Sequence, residues 1–160
     1  MEQQTDIKKQ PVIYRKLVNF AEAEPIFPDF LTGREMIRLF SSAKGASKNQ
    51  PVYYIESMHM QSYIDDAVGT YSSGMLKKLS LILAFMGNPA LILLDEPLIT
   101  IDAESLIILY NWIIERQKQE GTSFLLSSHQ SLETDYFPDL QTLLVEQQTI
   151  KYNPDVSTIN

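Results

Sequence analysis

Tyr71–Asp102 reads YSSGMLKKLSLILAFMGNPALILLDEPLITID, and the rest of the chain is organised around this stretch. The small residues Ser72, Ser73 and Gly74 come directly before a helical pattern. That pattern has one apolar face, formed by Leu76, Leu79, Leu83 and Met86. Serine hydroxyls cap the free N–H groups at the start of a helix, and such a start attracts anions. The stretch therefore predicts an anion-binding helix N-terminus.

The second half of the stretch predicts a buried strand that ends in two acids. Gly87-Asn88-Pro89 ends the helix, because the proline cannot continue it. Leu91–Leu94 is too short for a membrane helix and too uniformly apolar for a half-exposed strand, which indicates a strand buried on both faces of a parallel sheet. Asp95 and Glu96 follow at its carboxyl end, where ligands bind in open α/β sheets.

The order of these parts resembles the ATP-binding subunit of ABC transporters. The signature of that family reads LSGGQ, and Tyr71–Met75 matches it at the second and fourth positions. Leu91–Glu96 matches the family's Walker B pattern in full, and Ile99–Asp102 keeps the final aspartate of its D-loop. Phe124–His129 ends where the family has its switch histidine. Four motifs in the right order are much more specific than one, and the resemblance covers nearly the whole chain, roughly residues 7–152.

The resemblance implies a role in ATP binding and hydrolysis for each matching residue. Asp95 would hold Mg²⁺ through water, since this hard cation prefers oxygen ligands. Glu96 would be the general base that orients the attacking water, and His129 would bridge Glu96 and the γ-phosphate. The signature residues would close on a γ-phosphate held by a second subunit; these are Ser72, Ser73 and Gly74.

One further position departs from the family's pattern, and a second position has another explanation. The glutamine of the family's Q-loop falls on about Ala23, between Glu22 and Glu24. A carboxylate such as that of Glu24 could contact a metal-bound water, and a solvated acidic turn before Pro25 explains the pattern equally well. Asp102 is explained equally by a D-loop role in nucleotide binding and by capping of the helix that follows it.

The sequence contains no G-x-x-x-x-G-K-[ST] motif, the P-loop that cradles the phosphates of ATP in this class of protein. Only Gly69 and Gly74 have the glycine spacing, and Met75-Leu76 follows them. We therefore expect an N-terminally truncated ATP-binding domain that binds ATP poorly by itself. Because the P-loop strand of the family lies inside the sheet, we also expect exposed strand edges and an oligomer or a swapped dimer.

The remaining patterns predict an α/β fold like that of P-loop NTPases, with a mostly parallel sheet and an inserted helical subdomain. Leu17–Phe20 and Thr122–Ser127 are predicted strands, the second one buried, and Ser131–Phe137 is a predicted short helix. A terminal hairpin is predicted from Leu140–Glu146 and Thr149–Tyr152.

One domain is expected over residues 1–160, with the helical subdomain at about 30–86 and the Walker B and switch-histidine core at about 88–152. Leu31–Glu35 reads LTGRE and resembles the start of that subdomain in ATPases of the ABC-2 exporter type. Thr32 and Glu35 have the spacing of a capping box. The helix they open has a predicted buried stripe of Met36, Ile37, Leu39 and Phe40.

Two more helices are predicted on either side of the central stretch. Val52–Tyr63 is expected to form the second helix of the subdomain, with His59 as an incidental surface or packing residue. A long helix is expected to run from Asp102 to about Glu120 and to end at Gly121. The residues of this helix that are expected to face the sheet are Leu106, Leu109, Tyr110, Ile113 and Ile114.

Charge and composition exclude several classes of protein. The formal net charge of −7 argues against a nucleic-acid surface, which needs clustered Lys and Arg. The absence of cysteine excludes disulfides and thiolate metal sites. No apolar run approaches the roughly 20 residues that span a bilayer. Lys77 and Lys78 are expected on a solvated face. We therefore expect no direct membrane insertion and a cytoplasmic protein. The resemblance further implies that the protein is peripheral to the inner face of the cell membrane through its permease.

The resemblance implies the ATP-binding and ATP-hydrolysing subunit of a membrane exporter, with ATP and Mg²⁺ as cofactors. Its partners would be a transmembrane permease subunit and a second ATP-binding subunit. Two alternatives remain open. One is a non-catalytic regulatory or docking module, which the degenerate signature favours. The other is a soluble ABC ATPase of translation or DNA repair, which the acidic charge and the LTGRE sequence disfavour.

Overall fold

The computed structural model describes residues 6–130, 132, 134–137 and 140–152. The chain divides into two compact units, Met1–Ser128 and His129–Asn160. The first unit contains a parallel sheet and the helices around it, and the second contains a β-hairpin.

Three parallel strands form the sheet of the first unit. They are β1 (Val18–Ala21), β2 (Leu91–Asp95) and β3 (Ser123–Ser127), in the spatial order β1-β2-β3. Asp95 lies opposite Ser127 in the register, so both residues stand at the carboxyl edge of the sheet. This arrangement confirms the predicted α/β fold with a parallel sheet.

The prediction that the strands are buried on both faces was wrong. Ile92 and Leu94 of β2 are buried, whereas Leu93 is half-buried. Leu125 of β3, which pairs with Leu93, is 56% exposed. Successive side chains point to opposite faces of a strand, so the sheet is well covered on one face and partly open on the other.

A short helix that the sequence patterns did not predict precedes the sheet. Helix α1 (Pro11–Leu17) begins with a proline, which suits the first turn of a helix, and has no buried residue. Its last residue, Leu17, was predicted to open the strand. The strand begins one residue later, at Val18.

Helix α2 (Gly33–Lys44) confirms the predicted capping box. The Glu35 N–H donates to the Thr32 hydroxyl at 3.1 Å, and the Thr32 N–H donates to the Glu35 carboxylate at 2.8 Å. Met36 and Ile37 are buried as predicted. The predicted stripe was too wide, because Leu39 is 58% exposed and Phe40 is half-buried.

Helix α3 (Gln50–Ser57) is shorter than predicted. It starts before Val52 and ends before His59, whose positive φ of 57° is incompatible with a continuing helix. Val52 is 54% exposed, and the buried face is formed by Tyr54 and Ile55. His59 is a surface residue as predicted, with its Nε2 3.2 Å from the Glu104 carboxylate.

Two longer helices flank β2 in the sequence. Helix α4 (Ser73–Ala84) is buried around most of its second half, and the amide of Asn19 in β1 donates to the Ala84 carbonyl at 2.7 Å. Helix α5 (Ala103–Glu120) ends at Gly121, which has a φ of 68°, as the glycine predicted. Leu109, Tyr110 and Ile113 are buried as expected. Trp112 and Arg116 are also buried, which was not expected.

Arg116 holds α5 to the end of α4. Its guanidinium donates to the carbonyls of Phe85 at 2.6 Å and Gly87 at 2.8 Å, and to the Tyr54 hydroxyl at 3.1 Å. It also pairs with Glu120 one turn along the helix. Since Arg116 is only 3% exposed, these bonds satisfy a cation inside the core.

The second unit contains the predicted hairpin. Strands β4 (Leu143–Glu146) and β5 (Thr149–Tyr152) are antiparallel, and β4 starts three residues later than expected. The two turn residues, Gln147 and Gln148, both have positive φ, as type I′ hairpin turns require. The predicted helix at 131–137 falls partly outside the described residues, and what is described of it is a single 3₁₀ turn, Thr134–Tyr136.

Candidate functional site

The signature turn forms the start of α4 and lies against the loop that precedes α5. Ser72 caps the helix, since its hydroxyl accepts from the Met75 N–H at 3.3 Å. Ser72 and Ser73 are exposed, and Gly74 is half-buried. A Cβ on Gly74 would lie 3.0 Å from the Thr100 carbonyl oxygen, so a glycine permits this close approach. The predicted helix cap is confirmed.

Asp95 and Glu96 stand at the carboxyl end of the middle strand, as predicted. The Ser127 hydroxyl donates to an oxygen of the Asp95 carboxylate, and the Glu96 N–H donates to the Ser127 carbonyl at 3.1 Å. Both acidic residues are half-buried. Glu96 has a φ of 44°, a left-handed backbone conformation that is uncommon for glutamate. The chain therefore turns sharply at Glu96 and leaves the sheet.

Lys77 is buried, which contradicts the predicted solvated face. It is only 1% exposed, and its ammonium donates to the carbonyls of Glu22 at 3.1 Å, Ala23 at 3.0 Å and Asp95 at 3.2 Å. Burial lowers the pKa of Lys77, while the negative charges of Asp95 and Glu96 act in the opposite direction.

The spacing of residues along the helix could have revealed that the Lys77 side chain is buried. Lys77 precedes Ser80 and Leu81 by three and four residues, and residues at these spacings share one face of a helix. Ser80 and Leu81 are both buried. Lys77 is therefore the site residue that the sequence patterns missed.

Lys78 is also paired and not solvated. Its side chain is 16% exposed, and its ammonium lies 2.9 Å from the Asp102 carboxylate. Asp102 caps α5, because one of its oxygens accepts from the Ser105 N–H and hydroxyl, both at 2.8 Å. The Ser105 N–H and the Lys78 ammonium hold the pKa of Asp102 well below its usual range. The helix-cap explanation of Asp102 is confirmed, and its contact with a nucleotide stays a prediction.

The loop after β1 contributes backbone rather than carboxylate to this region. Ala23, at the expected Q-loop position, is half-buried and its carbonyl accepts from Lys77. Glu24 is exposed, and its proposed contact with a metal-bound water stays a prediction. His129 opens the second unit of the chain, so its placement beside Glu96 also stays a prediction.

The residues at the sheet edge and in the signature turn fit one part of a Mg²⁺–ATP site. Mg²⁺ is usually bound by one or two carboxylates together with waters and substrate phosphates, and Asp95 supplies such a carboxylate. Among the described residues, no group of three or more His, Cys, Asp or Glu could hold a metal ion by itself. The phosphate-cradling loop is absent from the sequence. The chain therefore fits the carboxylate and signature parts of such a site, and not the cradle.

Residues 2–99, more than half of the chain, match the sequence profile of the family described as ABC transporter. The chain belongs to the ABC transporter family. Within that family it corresponds to part of the nucleotide-binding, or ATP-binding, domain. The described residues include no helix that is long and apolar enough to cross a membrane.

Curated relatives belong to the A subfamily of ABC transporters. Mouse ATP-binding cassette sub-family A member 7 is 33% identical over 126 residues, which cover 76% of this chain and 6% of the relative. Mouse retinal-specific phospholipid-transporting ATPase ABCA4 is 36% identical over 105 residues, 63% of this chain and 4% of the relative. Arabidopsis thaliana ABC transporter A family member 2 is 29% identical over 129 residues, 78% of this chain and 13% of the relative. The chain thus spans a small part of each of these relatives.

Solved structures share the fold. An ATP-binding subunit of an ABC transporter aligns with a TM-score of 0.71 at 21% identity and covers 78% of this chain and 54% of that one. A dimeric ATP-binding cassette in a post-hydrolysis state, bound to ADP and Pi, aligns with a TM-score of 0.68 at 17% identity and covers 79% and 58%. The parallel sheet and its helices are therefore those of an ABC ATPase.

Proposed function

We propose that this chain supplies the catalytic carboxylates and the signature turn for ATP hydrolysis in an ABC-type membrane transporter. The observation that carries the proposal is the position of Asp95 and Glu96 at the end of the middle strand, next to Ser127. Lys77 connects this strand end to the helix that begins with the signature turn. Retinal-specific phospholipid-transporting ATPase is the name of one relative, which favours a lipid as the cargo of the whole transporter.

The roles of the chain's own residues follow from their positions. Bound Mg²⁺ would neutralise charge on the phosphate oxygens. Asp95 would hold it through water, and the hydrogen bond from Ser127 fixes the orientation of that carboxylate. Glu96 would orient the attacking water and accept its proton on a carboxylate oxygen. His129 would contact Glu96 and the γ-phosphate, as the family resemblance implies.

The signature turn would act on a nucleotide held by a second ATP-binding subunit. Gly74 lies in the first turn of α4, where backbone N–H groups have no partner within the helix. The Gly74 N–H and the Ser73 hydroxyl would therefore donate to the γ-phosphate, with Ser72 fixing the turn as its cap.

The assembly follows from the same proposal. A transmembrane permease subunit would place the protein at the cytoplasmic face of a membrane, and a second ATP-binding subunit would complete each nucleotide site. Within residues 1–160, the helical subdomain would span about 30–86 and the Walker B and switch-histidine core about 88–152.

A complementation assay tests the signature role. This chain is mixed with an ABC ATP-binding domain that has an intact P-loop and Walker B motif but an inactivated signature, and ATP turnover is measured. We expect turnover to recover with the wild-type chain. Gly74→Asp should lower the recovered turnover about 10²-fold, the usual loss of rate when an oxyanion donor is removed. Ala43→Asp is the matched control, because Ala43 is a small, exposed residue of α2 outside the signature turn. A folded wild-type chain that restores no turnover would reject the role.

One second candidate has a specific observation in its favour. Met75 stands at the last signature position and Ala23 stands where the family has its Q-loop glutamine, as a non-catalytic regulatory or docking module would allow. In that case the chain would bind a complete ATP-binding domain, and Gly74→Asp would leave turnover unchanged. A soluble ATPase of translation or DNA repair has no comparable support, since the relatives described above are named as transporters or cassette proteins.

A further inference from the structure

The Lys77 ammonium joins three segments of the chain at the carboxyl edge of the sheet. Its three N–H donors face three carbonyl acceptors, those of Glu22, Ala23 and Asp95. Glu22 and Ala23 follow β1, Asp95 ends β2, and Lys77 belongs to α4. A buried cation that satisfies all of its donors with backbone carbonyls fixes the positions of those carbonyls.

The peptide bond between Asp95 and Glu96 is held at both of its polar ends. Its carbonyl accepts from Lys77 at 3.2 Å, and its N–H donates to the Ser127 carbonyl at 3.1 Å. Because a peptide unit is planar, two such bonds define its orientation. That orientation determines the direction in which the chain leaves Asp95 and enters Glu96.

Glu96 needs such support because its backbone is strained. A φ of 44° for a glutamate persists only where the surroundings impose it. The bonds to Lys77 and Ser127 adjoin this turn directly. Lys77 also lies on the second turn of α4, five residues after the Ser72 cap, so it moves with the signature turn.

We propose that Lys77 is a positioning residue that holds the Asp95–Glu96 turn and couples its position to that of the signature helix. This inference rests on the proposed function, since it assigns Lys77 an action through Asp95 and Glu96. The Lys77 ammonium is buried against three backbone carbonyls and acts on the site through them. It replaces solvent as the donor to the strand-end carbonyls, and so keeps the two carboxylates in one fixed arrangement.

Hydrogen exchange of the whole chain tests the proposal. In Lys77→Met, which keeps the length of the side chain but removes its donors, we expect the backbone amides of residues 22–24, 95 and 96 to exchange at least about tenfold faster, while those in the middle of α5 are unchanged. Lys77→Arg keeps a cationic donor and should restore slow exchange. Lys78→Met is the matched control, since Lys78 pairs with Asp102 and should leave both segments protected.

A double-mutant cycle tests the coupling. Ser72→Ala removes the cap of α4, and in the wild-type background it should also speed exchange of the amides of Asp95 and Glu96. In the Lys77→Met background this additional effect should disappear, because the connection has been cut. Additive effects of the two substitutions would overturn the coupling and leave Lys77 as a local structural contact.

A measurement on the unchanged chain covers the case in which Lys77→Met does not fold. Solvated lysine ammonium protons exchange rapidly, so a ¹H–¹⁵N signal of the Lys77 ammonium that persists at neutral pH supports the buried three-bond arrangement. Three results would each overturn the proposal. The first is loss of that signal, and the second is amide exchange in Lys77→Arg that is as fast as in Lys77→Met. The third is exchange throughout α5 that is accelerated as much as at the strand end. None of these experiments contains nucleotide, so their outcome is separable from a failure of the proposed ATPase function.

Discussion

At the scale of single residues, the backbone of Glu96 shows that this position is maintained at a cost in stability. Its positive φ lies in a region that glycine adopts freely and other residues adopt rarely. The residue that the family resemblance assigns to catalysis is thus the one that strains the turn. Natural sequences keep such strain where a side chain is needed for function.

The first prediction compares two truncations of that side chain. Glu96→Gly should have a free energy of unfolding about 1 kcal/mol higher than Glu96→Ala, since both remove the carboxylate and only glycine relieves the backbone strain. Urea unfolding followed by the fluorescence of Trp112, the single tryptophan of the chain, measures the difference. Equal stabilities would show that the left-handed conformation of Glu96 is not maintained in solution.

The second prediction concerns the pH dependence of the α5 cap. Because folding lowers the pKa of Asp102, the stabilisation is complete above the unfolded-state pKa of about 3.9 and is lost as pH falls toward the folded-state value. At pH 7, Asp102→Ala should cost about 1 kcal/mol. The difference in the free energy of unfolding between wild type and Asp102→Ala should decrease below about pH 4.

Chemical unfolding at a series of pH values measures this effect. Asp102→Asn is the control, since it keeps an oxygen that can cap the helix but carries no charge. A constant difference between wild type and Asp102→Ala from neutral pH to pH 2 would contradict the assignment of the cap and of its partner Lys78.

At the scale of elements, capping signals in the sequence predicted three helix ends correctly. Both ends of α3 were missed, and α4 ends at Ala84, before the predicted Gly87-Asn88-Pro89. The Thr32–Glu35 capping box, the Ser72 cap and the terminal Gly121 were all confirmed, because each depends on residues within one turn of the chain.

The helical spacing of Lys77 could have placed it on a buried face, but the contacts of the buried charged residues could not be predicted in this way. Lys77 and Arg116 find their acceptors in segments distant along the sequence, and no local signal identifies those segments.

Strand burial was misjudged for a related reason. An apolar run such as Leu91–Leu94 or Phe124–Leu126 predicts a strand, but does not show how much of each face other elements cover. The exposure of the Leu125 side chain depends on that coverage and cannot be predicted from the residues next to it in the sequence. In the site, the carboxyl-end position of Asp95 followed from the strand prediction, whereas the position of the Asp95–Glu96 peptide depends on Lys77 and Ser127.

The third prediction tests how α5 is attached to α4. Arg116→Met should lower the free energy of unfolding by about 3 kcal/mol, since it leaves the buried carbonyls of Phe85 and Gly87 without a donor. Lys118→Met, on an exposed position of the same helix, should change it by less than about 0.5 kcal/mol. Thermal or urea unfolding compares the two. Similar small effects would show that solvent replaces the guanidinium at no cost.

At the scale of the whole molecule, β1 and β3 are the edge strands of the sheet within the described residues. Unpaired strand edges promote association, particularly where apolar side chains such as Phe20 and Leu125 are exposed, at 51% and 56%. The prediction of an oligomer or a swapped dimer therefore stays open to direct measurement.

The fourth prediction is that the chain self-associates through an edge strand. Light scattering should give a mass above that of one chain, and Leu125→Lys should shift the mass toward the monomer, because a lysine on an edge strand opposes pairing. Ile26→Lys is the control, since Ile26 is 91% exposed but lies outside the strands. A monomeric wild-type chain at all concentrations would reject edge pairing.

Glu96 is proposed as the base of an ATPase site, and ATP hydrolysis at a completed site tests this claim most directly. The sequence is placed behind the P-loop-bearing segment of an A-subfamily ATP-binding domain, and Glu96→Gln is compared with Glu104→Gln, an exposed acid of α5. Glu96→Gln should retain ATP binding and lower turnover by about 10²-fold or more, while Glu104→Gln should change neither. Turnover that is unchanged in Glu96→Gln would contradict the claim.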